Sequence, residues 1–368
     1  MSEHFRGAFA ESQLGIRTDR LPEEVLKSIG DTLDEPARDG LLALLGSIGK
    51  KGAKATGNDK EEDGEESKGA EDPTIESAGT RTAHLLFLSR QEIEAVCLFA
   101  QEKKDALGKA VKKKKPVTEV INKLRKDLQV YLEEHTSKNA VDVGLFGRFV
   151  TSEEFDTVDG ALQVAHALGT QKVEVEYDYF TAVDDLSMES GAGHLGESEF
   201  ASSVLYLYAC CDLDQLETNL GARAENGRTA DPEAQLLARK GLPSLVRAIA
   251  EATPKGKRTG TAPHTPAEYV EVVVRRGAPL SFANAFTKPV DAREQGGDVM
   301  GASIDRFAKH RDRVEQAYGR DQDAIARFVL CLRDVDAVTL KQHEVKTIDE
   351  LAAKLGSALA ALPSQAAQ

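Results

Sequence analysis

Three side chains near the middle of the chain have types that could do chemistry: Asp184 and Asp185, adjacent in YDYFTAVDDL (177–186), and His194 in GAGHLG (191–196). Two carboxylates and an imidazole can hold a divalent metal or run acid–base hydrolysis. Their spacing argues against it. Neighbouring side chains on a strand point to opposite faces, so a D-D pair converges on one ion only in a suitable turn. Asp residues in loops also accept hydrogen bonds from nearby backbone N–H groups, and bracing a turn is their commoner role. A metal-dependent nucleic-acid hydrolase using these three residues is therefore the second reading. No Walker loop, no G-x-G-x-x-G after a strand, no G-x-S-x-G and no H-E-x-x-H accompanies them. Cys97, Cys210, Cys211 and Cys331 form no C-x-x-C pair. Nothing in the sequence calls for a cofactor or a resident metal, and no enzymatic activity is expected.

A different set of residues suits a single strand of nucleic acid, which needs cations for phosphates and aromatics to stack or wedge against bases. Arg148 and Phe149 end one strand-like run, and Tyr179, Phe180 and Thr181 end another. GKR (256–258) and TKPVDAR (287–293) are polar basic loops. Tyr177, earlier on its strand, reads as a core residue. The lysine run VKKKKP (111–116) is of a type more often solvated than clamped on phosphate.

Net charge of −14 speaks against a nucleic-acid partner until its distribution is read. Asp59 to Ser77 holds nine acids and two lysines, so half of the excess sits in one Gly- and Ser-rich segment that reads as a disordered loop. No run approaches the roughly 18 apolar residues that span a bilayer, and MSEHFRGAFAES has no apolar leader core. A cytoplasmic protein without a membrane partner is expected.

The elements that must position these residues fall into two kinds. From Leu21 to Leu45 short amphipathic helices are expected, broken at Pro36 and Gly40. HLLFLS reads as a strand ending at Ser89, an N-cap for the helix that follows. Ile121, Leu124, Leu128 and Leu132 recur at helical spacing. Beyond this block, 141–150 reads as a strand, 158–170 as a helix, KVEVEYDY as an alternating strand with one wet face, and FASSVLYLYACC as a central strand. Helices are expected from Leu213 to Leu220, Pro232 to Ala252 and Ser303 to Tyr318. EYVEVVVRR reads as a strand, and a last helix is capped by Thr347 and Glu350. The class is α+β: a small sheet carrying large insertions.

Four separated motifs, GRFVTSEEFDTVDGALQVAHALGT, YFTAVDDL, GHLGESEFASSVLYLYACCDLDQL and PLSFANAF, resemble the CasC family in its own order. CasC is the repeated backbone subunit of the type I-E CRISPR surveillance complex, Cascade. The resemblance implies a hand: an RRM-like, ferredoxin-type antiparallel palm sheet, a helical finger insertion and a β-hairpin thumb. In those terms residues 1–18 are the end of the first palm helix and 19–138 the finger, with its acidic loop at about 50–78. Palm follows at 139–173, thumb at 174–200, and palm with helices and basic loops at 201–368. The family opens with a palm strand and a basic loop, neither of which MSEHFRGAFAESQLGIRT provides.

The implied partners are CRISPR RNA, the target DNA strand, other copies in a helical filament and the other Cascade subunits. Carried over by position, Arg148 and Phe149 match palm positions near the guide. Tyr179, Phe180 and Thr181 match the thumb positions that intrude where the guide is kinked. Leu195 matches the thumb's other arm, and Lys257, Arg258, Lys288 and Arg293 match basic loops facing phosphate.

Overall fold

In LPEEVLKSI, Leu21, Pro22, Val25 and Ile29 fall on one stripe, and all four are buried along α1 (Leu21–Ile29). The computed structural model describes residues 5–49, 81–112, 115–136, 140–150, 152–182, 194–222, 231–252, 258–291, 293–334 and 338–363. α2 (Glu35–Gly46) is capped by the Asp34 carboxylate, which accepts the Ala37 N–H at 3.3 Å. Pro36 sits in its first turn, where the missing N–H has no helical partner to lose. Gly40 does not break the helix. It lies inside α2, where a Cβ would overlap the carbonyl of Leu107, so glycine permits a close backbone approach.

Residues expected to end a helix instead form a strand: β1 (Ile16–Thr18) pairs antiparallel with β2 (Leu86–Leu88). Ser89 then caps α3 (Arg90–Glu102) through a reciprocal box with Glu92. α4 (Lys104–Gly108), the short ribbon β3 (Val111–Lys112) and β4 (Lys115–Pro116), and α5 (Thr118–His135) complete the block. Ile121, Leu124, Leu128 and Leu132 of α5 join Leu41, Leu44, Val96, Phe99 and Leu107 in one core.

The run 141–150 is not a strand; it opens with α6 (Val141–Phe146), ended by Gly147 at φ 76°. Val141 through Leu145 are all buried, so apolar periodicity carries no information there. The run 158–170 is not a helix. It holds β5 (Leu162–Val164) and β6 (Leu168–Gly169), whose flanking backbone bonds go elsewhere: Ala165 N–H to Tyr208 C=O and Thr170 N–H to Val204 C=O, both at 2.9 Å.

β7 (Val175–Ala182) and β8 (His194–Ala201) form the long hairpin, in register from Val175 opposite Ala201 to Ala182 opposite His194. The expected central strand in FASSVLYLYACC is split into β9 (Leu205–Tyr206), paired with β6, and β10 (Ala209–Cys211), paired with β5. Then come α7 (Leu213–Asn219), α8 (Pro232–Glu251), α9 (Arg258–Thr261) and β11 (Tyr269–Arg275). α10 (Val299–Ala317), capped by Asp298, starts before the expected Ser303. β12 (Ala324–Cys331), α11 (Val338–Lys341), β13 (Glu344–Val345) and α12 (Ile348–Ala360) close the order.

β11 and β12 are antiparallel, and β13 adds parallel to β12. Ile304 and Ala308 of α10 pack with Val329 on one face, and Leu351 of α12 packs near Val270, Val272 and Phe328 on the other. Coverage on both faces explains why YVEVVVR is almost continuously apolar. Within it Glu271 is paired inside: fully buried Arg311 reaches it at 2.7 Å, and so does Arg327.

The class is α+β. Contacts divide the chain into two compact units, Ser2–Leu162 with Cys211–Gly241 and Gln163–Cys210 with Leu242–Pro363, the brief termini aside. The helical block lies in the first unit; the hairpin and the three-stranded sheet lie in the second. The span 139–173 is thus divided at 162/163. Among the described residues no helix is long and apolar enough to cross a membrane.

Candidate nucleic-acid interface

The alternation in VEVEYDYF builds β7, and pairing with β8 gives a ribbon with two distinct faces. One face carries Val175, Tyr177, Tyr179 and Thr181 opposite Ala201, Glu199, Glu197 and Leu195; the other carries Glu176, Asp178 and Phe180 opposite Phe200, Ser198 and Gly196. Both are solvent-facing. Tyr177, expected in the core, is 54% exposed, and Tyr179 and Leu195 are each 67% exposed. A two-stranded ribbon has no core of its own, and a run of exposed apolar side chains on it marks a contact surface.

Tyr179, Phe180, Thr181 and Leu195 are brought together at the distal end of the ribbon, Thr181 directly opposite Leu195. Phe180 points to the other face from its neighbours, and its ring lies across Gly196, where a Cβ would collide with it. Gly196 was not singled out from sequence; its signal was a strand glycine facing an aromatic partner.

Arg148 does not join them. It is buried at 5% exposure, donates from Nη1 to the Glu92 carboxylate at 2.8 and 3.0 Å and to Phe87 O at 3.0 Å, and from Nε to Asp156 O at 3.0 Å. A guanidinium so occupied is a strut, with these donors turned inward and away from any phosphate. The next residue, Phe149, is 85% exposed.

Lys288 is exposed, and its carbonyl accepts from Arg306 Nη1 at 2.6 Å. Arg293 is exposed, with Asp291 3.8 Å away. Arg258 opens α9, while Lys257, Asp184 and Asp185 lie outside the described residues. His194 stands on β8 opposite Ala182. Among the described residues no group of three His, Cys, Asp or Glu could hold a metal ion.

Other motif residues are structural. Phe282 and Phe286 of PLSFANAF close an aromatic cluster with Tyr206 and Phe307, and the Tyr206 hydroxyl accepts the Phe282 N–H at 3.2 Å. Tyr269 meets the same cluster edge-on at Phe307. Burial, with Glu271 beside it, holds the Tyr269 hydroxyl well above its ordinary value, so it stays a donor to Glu271 at 2.5 Å.

The chain is similar to chains of solved structures. One is a chain titled "CRISPR RNA-guided surveillance complex, pre-nicking", with a TM-score of 0.64 and 25% identity over 96% of this chain and 89% of that one. Another, titled "CRISPR RNA-guided surveillance complex", has 29% identity and a TM-score of 0.48 over 62% of this chain and 82% of that one. The chain belongs to the CT1975-like protein family of Cas proteins, whose model matches residues 1–354. Among curated proteins none matches.

Proposed function

We propose that the protein is a CRISPR-RNA-binding backbone subunit of a surveillance complex, of the type I-E CasC kind, and that it binds without cleaving. In this role copies polymerise along the guide beside other Cascade subunits, the ribbon kinks the RNA, and the bases between kinks are left to pair with target DNA. The observation that carries the reading is the distal end of the ribbon, where Tyr179, Phe180, Thr181 and Leu195 meet in solvent on opposite faces of a two-stranded wedge. Support comes from the full-length likeness to a chain of an RNA-guided surveillance complex. The chemistry is consistent: where base pairing reads the sequence, the protein supplies shape, charge and wedges and needs no base-specific donors.

The test is guide-RNA binding by the purified protein. Phe180→Ala and Leu195→Ala should weaken it while thermal unfolding stays put. Equal guide affinity in both variants and the parent would overturn the role given to the ribbon. Metal-dependent cleavage of RNA or DNA, abolished in Asp184→Asn, would overturn the non-catalytic reading in favour of a hydrolase.

A further inference from the structure

Glu154 has one carboxylate oxygen in use and one bare. The residue is buried at 3% exposure; its Oε1 pairs with Arg125, and its Oε2 has no hydrogen-bond partner among the described residues. The Ser152 hydroxyl, two residues earlier, is also buried and likewise without a partner there. A buried carboxylate oxygen left bare is costly, so it marks a place where something binds. Glu154 lines a cavity of the first unit, shared with residues of α3 and α5. Buried Leu132 and Phe155 give that cavity apolar walls, and exposed Glu133 and Asp156 stand in the same lining. Its other buried acid, Glu92, is already served by the Ser89 N–H at 2.7 Å and by Arg148 Nη1 at 2.8 and 3.0 Å.

Four carboxylates line the cavity and two arginines pair with them, so the excess charge calls for a cation. A divalent metal does not fit: among the described residues no three His, Cys, Asp or Glu could hold one, and such ions ask for about six or more oxygens. A guanidinium grips a carboxylate through both oxygens, and Arg125 already holds Oε1. An ammonium is a compact donor that needs one oxygen. The cavity has room for a single water-sized group, which suits an ammonium head. Its apolar walls accept methylenes, and the exposed acids can receive a second charge. We infer that the cavity binds a linear alkyl polyamine. One ammonium sits on Glu154 Oε2, the methylenes lie along Leu132 and Phe155, and the next ammonium meets Glu133 and Asp156. The site goes beyond the proposed function, which does not use these residues. Binding to the folded state alone raises stability by mass action.

Calorimetric titration of nucleic-acid-free full-length protein with putrescine, a diamine, and with butylamine, a monoamine, tests it at physiological salt. Putrescine should bind saturably and raise the melting temperature, and butylamine should bind about tenfold or more weakly. Glu154→Gln should lower putrescine affinity about tenfold or more. That change also removes the counter-ion of Arg125, so a melt of the unliganded variant accompanies it. Glu133→Gln, at an exposed position, keeps the test decisive if Glu154→Gln does not fold. It should lower putrescine affinity about threefold or more and leave butylamine affinity unchanged. Equal putrescine affinity in the parent and the folded variants would assign binding to the acidic surface at large and overturn the site. Absence of saturable binding by either amine would give the cavity to water and overturn it too. Displacement of putrescine by equimolar magnesium would make this a metal site and overturn the ammonium assignment.

Discussion

The ring of Phe180 lies across Gly196 on the partner strand, filling the space a side chain would take. The absence of a side chain at Gly196 leaves the room in which the ring is seated. Gly196→Ala should push the ring off this seat. Guide affinity should then fall by about 1–3 kcal/mol, the value of one base–aromatic stack, as in Phe180→Ala. Filter binding beside a thermal melt checks it; a lowered melting temperature with unchanged affinity would make the pair structural only.

Arg148 and Phe149 are neighbours with opposite duties. Arg148→Ala leaves Glu92 buried without its counter-ion and should cost about 3–5 kcal/mol of stability. Phe149→Ala removes an exposed ring and should leave stability within about 0.5 kcal/mol. Denaturant unfolding of the two variants reads the contrast directly.

Gly40→Ala places a methyl on the Leu107 carbonyl, backbone against backbone, where no side chain can swing aside. α2 and α4 must separate, and the loss should be about 1–3 kcal/mol or more despite the better helix propensity of alanine.

Asp142 gives the first unit a pH dependence. Burial pushes its carboxyl above the ordinary value of 3.8, against the lowering effects of the Gly15 N–H at 2.7 Å and of Arg6. The native state therefore keeps this proton to higher pH than the unfolded chain, and stability from this group falls as pH rises from 3.8 through the raised folded value. Asp142→Asn keeps an acceptor for Gly15 and removes the titration. Its urea midpoint should show a smaller fall across that window than the parent's; parallel pH profiles would refute the assignment.

Guide binding should also weaken with salt, because any phosphates held by Lys288, Arg293 and their neighbours release counterions on binding. A flat plot of log affinity against log salt would remove those loops from the interface.

Much of this molecule was legible from its residues. The amphipathic stripes of α1 and α5, the Ser89 cap and the alternation of β7 follow from local rules, because periodicity and capping chemistry act within a few residues. Those rules failed where burial is uniform or pairing is distant. The run 141–145 is buried all round and could be strand or helix, and 158–170 gave up helical spacing for backbone bonds to residues 34 and 43 positions away.

The same division holds for the candidate interface. Sequence alone determined the alternation of β7 and the aromatics at its distal end, since these follow from residue type and order, while the hairpin was implied by the family resemblance. Only tertiary structure decided that Arg148 turns inward to Glu92 while Phe149 turns out, and that Phe180 rests on Gly196. A side chain's partner depends on which distant backbone approaches it, and residue type does not encode that.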